Sequence, residues 1–142
     1  SPEFFSGRAY RTKIKSPIEF VVQTNKALNI DNQGKGVADM AGRMGQSLFA
    51  PPDVAGWPGG AAWIDSSALI WRVNFANLAA MRLRQPGYSR QQLVDVLLDG
   101  TPDAGLETIL DEFEVSARGS NKFGVKCGML YLLLAGPAFQ WG

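Results

Sequence analysis

The sequence predicts an all-α protein: a compact helical bundle of five to six helices, with one long loop rich in proline, glycine and tryptophan packed on a central helix. Three observations carry this prediction. Apolar residues recur at helical spacing through most of the chain. Helix-start signals precede those runs at several points, and no alternating strand pattern of useful length occurs. At 142 residues, 46% hydrophobic and 19% charged, the chain can bury one core and is too apolar for disorder. Residues 1–142 are therefore read as a single α-helical domain.

Ser16-Pro17-Ile18-Glu19 combines a capping serine, a first-turn proline and a glutamate at the capping-box position. Ile18, Val21, Val22 and Leu28 then follow a helical period, and residues 29–36 form a turn-rich break. Val37, Met40, Ala41 and Met44 share one face of a second, shorter helix. From Gln46 to Asp65 the period disappears. That segment holds Pro51, Pro52 and Pro58 with Gly56, Gly59 and Gly60, and it exceeds the usual limit of about 12–15 residues for a structureless connection. Phe49, Trp57 and Trp63 point to a loop that packs against the protein and buries one or both indoles.

Asp65, Ser66 and Ser67 offer caps for a long helix reaching about residue 84. Leu69, Val73, Ala76, Ala80 and Leu83 form one stripe of it, and Trp71, Phe75 and Leu78 another. A helix apolar on most of its circumference is a buried one, so this is expected to be the central helix. Ser89-Arg90-Gln91-Gln92 is a second capping box, opening a helix that turns Leu93, Val96 and Leu97 inward. Thr101-Pro102 opens the next, with Leu106, Ile109, Leu110 and Phe113 at i, i+3, i+4 and i+7. Gly119-Ser120-Asn121 breaks it, and the last helix covers residues 122–135.

Composition narrows the chemistry sharply. There is no histidine, which removes Ser-His-Asp and Cys-His nucleophile systems and imidazole ligation of metals. The single cysteine, Cys127, forms no internal disulfide or CxxC pair, and its apolar surroundings predict an inert core thiol. Gly119 to Lys126 resembles a phosphate-binding loop, but Val125 stands where the lysine must be. Asn29, Asp31, Gln33 and Gly34 match the opening of a calcium loop whose closing glutamate position is Met40. No metal or cofactor is expected.

The net charge of +1, from 14 basic and 13 acidic residues, argues against a nucleic-acid partner, although Arg8, Arg11, Lys13 and Lys15 cluster. The acids from Asp95 to Glu114 read as a solvated helix face. No run reaches the ~18–20 apolar residues of a membrane span, and no signal-peptide pattern opens the chain. Asp53 and Asp65, flanking Trp57 and Trp63, form the one candidate catalytic pair, since two carboxylates beside aromatic platforms suit glycoside hydrolysis. The competing account is local: Asp65 caps a helix and Asp53 closes a turn. Arg72 and Asn74 are expected to satisfy loop carbonyls, while Gly59 and Gly60 let the backbone turn.

The run from Leu48 through Gly60 (Leu-Phe-Ala-Pro-Pro-Asp-Val-Ala-Gly-Trp-Pro-Gly-Gly), followed by Ala62-Trp63-Ile64 and Arg72-Val73-Asn74-Phe75, resembles the C-terminal part of the bacterial domain-of-unknown-function family number 1800. The Lys15 to Val22 stretch and the closing Leu-Ala-Gly-Pro-Ala-Phe-Gln resemble it too. Gly136 and Ala138 depart from that pattern, in which Ser and Glu are commoner. The resemblance implies a mostly helical protein, export in bacteria to the periplasm or cell surface, and a parent chain much longer than this one. It also implies frequent encoding beside a sulfatase-like family, and it brings no established catalytic residues. The opening Ser1-Pro2-Glu3-Phe4, echoed near the other end, is read as native and the chain as the C-terminal segment of a longer protein. Together these readings favour a non-catalytic structural or interaction module, whose partner is the remainder of its parent chain or another protein. The alternative is a segment of an enzyme or binding protein acting on surface polysaccharide through the Trp/Asp loop.

Overall fold

A computed structural model of the chain describes residues 12–31, 33–82, 88–100, 102–119 and 121–142. Helix α1 (Pro17–Ala27) starts on the expected capping box. The Glu19 N–H donates to Ser16 Oγ at 3.4 Å, and the Ser16 N–H donates to the Glu19 carboxylate at 2.7 Å. Burial alone would raise the Glu19 pKa, but the Ser16 N–H and the Lys13 ammonium at 2.9 Å outweigh it and hold the carboxyl below its ordinary value. A carboxyl lowered on folding contributes stability above its unfolded pKa and loses it as pH falls through the folded one. Glu19→Gln is therefore expected to be about 0.5 kcal/mol less stable than the native chain at neutral pH. Urea unfolding should show that gap closing below about pH 4.

Six further helices follow among the described residues: α2 (Val37–Arg43), α3 (Ser66–Arg82), α4 (Arg90–Leu98), α5 (Ala104–Ser116), α6 (Lys122–Ala135) and α7 (Pro137–Gln140). A 3-10 turn, Gly60–Ile64, precedes α3. The six helices expected from periodicity are thus present. The short α7 adds a seventh, set off from α6 where a Cβ on Gly136 would crowd the Leu132 carbonyl at 2.8 Å. Among the described residues there is no strand, and none of these helices is long and apolar enough to cross a membrane. Ser89 and Gln92 form the second capping box, and Asp103 caps α5 by accepting the Leu106 N–H at 2.7 Å.

The core gathers around α3 and α6, whose contact is the largest in the fold. Helix α3 offers small residues there (Ala76, Ala79, Ala80) while α6 supplies Met129, Leu130, Leu133 and Leu134. Small against large allows close approach at interior packing density. Phe20 sits at the junction, edge-on to Phe75 at 5.8 Å and to Phe139 at 5.6 Å. Helix α5 lies so close to α6 that a Cβ on Gly128 would overlap the Phe113 ring.

Two expectations need correction. Helix α3 is central but not buried all round: Leu69, Ile70 and Met81 are exposed, while Ala68, Arg72, Phe75, Ala76, Ala79 and Ala80 are buried. Val96 and Ile109 are likewise exposed, while Val94 and Leu98 take the inward places on α4. Periodicity set the helices correctly and misjudged which stripe the neighbours would cover.

The segment before α1 pairs with the chain's last residues. The Lys15 N–H donates to the Gln140 carbonyl at 2.8 Å and the Gly142 N–H to the Lys13 carbonyl at 2.7 Å, with Ile14 and Trp141 forming an antiparallel bridge. Lys15 is buried with its ammonium 3.7 Å from the Phe139 ring centre. Ser1 to Phe4, Arg8 and Arg11 lie outside the described residues.

Candidate functional site

The region of interest runs from Gln46 to Arg72. Gln46 is buried, and its Oε1 accepts the Ile18 N–H at 2.9 Å, filling an open donor in the first turn of α1. Beyond Gln46 the chain leaves the body. Residues 49–55 are all exposed, Phe49 by 98% and Val54 fully. The sequence expectation of a loop laid across α3 is therefore overturned for most of its length. Three local hydrogen bonds hold it instead: Ala50 N–H to the Ser47 carbonyl at 3.1 Å, Ala55 N–H to the Asp53 carboxylate at 2.7 Å, and Gly56 N–H to the Asp53 carbonyl at 3.1 Å. The turn closes at Gly56, whose φ of +96° is one a side chain rarely adopts. Phe49 takes a φ of +65° without that freedom.

The two indoles part company. Trp63, on the 3-10 turn, is 5% exposed and anchors the loop where it rejoins α3, whereas Trp57 is half-buried. Gly59 and Gly60 are exposed; Gly60 has a φ of +63° and starts the 3-10 turn. Asp65 accepts the Ala68 N–H at 2.8 Å and so caps α3, and Asp53 closes the turn just described. Each carboxylate has a local backbone partner, as the competing account requires. One of the two aromatic platforms is out of reach of solvent.

Arg72 does not serve the loop. It is 1% exposed, donating from Nη1 to Gln140 Oε1 at 2.8 Å and from Nη2 to the Lys15 carbonyl at 2.6 Å, with its guanidinium 5.0 Å from the Phe20 ring centre. Gln140 passes the connection on, its Nε2 donating to the Leu134 carbonyl at 2.9 Å. Arg72 thus ties the residues before α1 to those after α6. Among the described residues no carboxylate pairs with it and its Nε has no partner, and burial brings its pKa down to about 10. Asn74 is exposed. With Asn77, Cys127 and Tyr131 it lines a groove of about 440 Å³ between α3 and α6. The Cys127 thiol donates to the Ala80 carbonyl at 3.3 Å, and burial pushes its pKa up.

Two features escaped the sequence reading. Arg90, at the start of α4, meets the acids of α5: Glu107 at 2.6 Å, Asp111 at 2.5 Å and Glu114 at 3.4 Å. The Asp111 hydrogen bond, with Glu107 and Glu114 behind it, raises the Arg90 pKa. The spacing of Glu107, Asp111 and Glu114 on one helix face was the available signal. The second is a cleft of about 380 Å³ among α1, the end of α4 and Trp141, rimmed by Lys26 and Asp99. Its parts are too far apart in sequence to be read together. Among the described residues no group of three or more His, Cys, Asp or Glu is placed to hold a metal ion.

Comparison with known proteins returns no match among curated proteins and none among solved structures. A family model described as "Protein of unknown function (DUF1800)" matches residues 1–141, essentially the whole chain, and the chain belongs to that family.

Proposed function

We propose that this chain is a non-catalytic interaction module of an exported bacterial protein, and that the projecting loop around Phe49 and Val54 is its contact element. Export rests on the family resemblance alone. The contact element rests on Phe49, a large apolar side chain almost fully in water on a backbone conformation unfavourable for it. Folding gains nothing from that arrangement, since a buried phenylalanine contributes stability and an exposed one in the left-handed region does not. A partner that covers the ring supplies the missing gain. The loop's own hydrogen bonds hold it in shape beforehand, which lowers the ordering cost of binding.

Phe49→Gly is accordingly expected to hold or raise stability, by up to about 1 kcal/mol in chemical unfolding. A loss of more than about 1 kcal/mol would show that the ring belongs to the fold. The direct test places a photo-crosslinking phenylalanine analogue at position 49, and at exposed position 91 as control, in the protein as its host cell makes it. A discrete cross-linked species from position 49 alone supports the reading; none from position 49 overturns it. The polysaccharide reading draws no support from a buried Trp63 and two locally engaged aspartates. A glycan array is expected to show no binding that depends on Trp57.

A further inference from the structure

A recess of about 70 Å³ lies between α1, α2 and α3. Its lining includes the buried core residues Val21, Phe75 and Ala79 and the half-buried Ile30, Val37 and Met40. Lys35 and Arg82, both exposed, bring two positive charges to it, and no acid lines it. The acids nearest Lys35 in sequence are engaged elsewhere: Asp31 accepts the Gln33 N–H at 3.0 Å, and Asp39 pairs with Arg43 at 2.8 Å. Among the described residues neither Lys35 nor Arg82 forms an ion pair. Apolar walls beside uncompensated cations fit an anion with an apolar body. An engineered apolar cavity of about 150 Å³ holds benzene. At about half that volume, this recess takes a branched aliphatic group and not a ring. The recess also continues: through Asn25, Ile30 and Val37, which line both, it adjoins an open groove of about 550 Å³. That groove carries the amide side chains of Asn25, Asn29 and Gln33, which both donate and accept as a peptide backbone requires. Its charged residues, Lys26 and Asp31, are of opposite sign, so the groove itself selects no ion.

We propose that the joined recess and groove capture the C-terminus of a peptide whose last residue is branched and aliphatic. The last side chain fills the recess, the terminal carboxylate meets Lys35 and Arg82, and the preceding residues cross Ile30 and Val37 into the amide-lined groove. The buried side chain supplies the desolvated centre of the contact, and the two cations fix the direction of the chain. Hydrogen bonds from lysine and arginine to a carboxylate are charge-assisted and stronger than neutral ones. A free short-chain acid would use the recess alone and leave the adjoining amides without a role. None of the lining residues belongs to the loop of residues 46–65, so this site stands or falls separately from the reading of Phe49. A contact of a few residues is a weak one.

Fluorescence anisotropy tests this with the 142-residue chain and fluorescein-labelled Gly-Ser-Gly-Ser-Ala-Leu bearing a free C-terminal carboxylate. The signal is expected to rise to saturation with protein concentration. The same peptide ending in an amide, or in tryptophan in place of leucine, should bind at least about tenfold more weakly. Lys35→Gln and Arg82→Gln should each weaken the original peptide about tenfold with melting unchanged. Lys122→Gln, the same change at an exposed lysine outside the site, should not. Isocaproate carries the same branched end on a free acid, and it should displace the probe at least about tenfold less well than the unlabelled peptide. Absence of saturable binding, equal binding of the amide or tryptophan peptide, or a Lys35 or Arg82 variant that binds as the native chain does overturns the proposal. Isocaproate as potent as the peptide overturns it too, because the recess would then be a small-acid site.

Discussion

Replacing Arg72 with alanine is expected to cost about 3–5 kcal/mol, the range seen when one member of a buried polar arrangement is removed. Two acceptors, the Lys15 carbonyl and Gln140 Oε1, would lose their donors in the interior. Each buried group left unsatisfied costs about 1–3 kcal/mol, and the truncated side chain adds a cavity. Arg72→Met separates these contributions. It keeps most of the volume against Phe20 and removes the desolvated charge, but still strands both acceptors, so its cost should be about 2–3 kcal/mol, below that of alanine. The pH dependence has a definite sign. Burial lowers the folded-state pKa to about 10, below the unfolded value, so the charged form is disfavoured by folding. That penalty is fully present below pH 10 and relieved as pH rises toward the unfolded pKa. In chemical unfolding the native chain should therefore gain on Arg72→Met above pH 10. A constant difference across that window would mean that solvent or an anion reaches the guanidinium.

The second large effect is expected at Trp63. Its indole is buried under the 3-10 turn against α3 and lies outside the main core cluster, so Trp63→Ala should cost about 3 kcal/mol, the lower end for a buried tryptophan. Trp57→Ala, at a half-buried ring, should cost about 1 kcal/mol. The two differ in a further way. Trp63 anchors the loop's return to the body, so its loss should open residues 47–62 to limited proteolysis at temperatures well below global unfolding. Equal destabilisation by the two substitutions, or no new cleavage in Trp63→Ala, would place the anchor elsewhere.

What the sequence disclosed follows the reach of each interaction. Ser16 with Glu19 and Ser89 with Gln92 were legible because a capping box closes within three residues. The six longer helices were legible because one face of each repeats every few positions. The identity of the buried indole was not, since Trp57 and Trp63 stand in similar company and only the covering of α3 separates them. Arg72 was read as a partner of the nearby loop. Its acceptors lie 57 and 68 residues away, at Lys15 and Gln140, where spacing carries no signal. The loop itself was misread for a physical reason. Its length and aromatic content suit burial, but Trp63 alone is buried near its end, and residues 49–55 stay in water with local hydrogen bonds to Ser47 and Asp53. Of the candidate residues, Asp53 and Asp65 proved to have the local tasks that turn and cap chemistry assign them. The element most open to a partner, Phe49, drew notice only as part of a stretch expected to pack.

The pairing of Lys13 with Gly142 and Lys15 with Gln140 sets residues 12 and 142 side by side. Tension applied between those two points would not load the paired bonds in parallel. It would peel them one after another, 13 with 142 first and 15 with 140 next, until the strain arrived at the guanidinium of Arg72. Pulled that way, the molecule should yield first at its seam and leave the helical body standing.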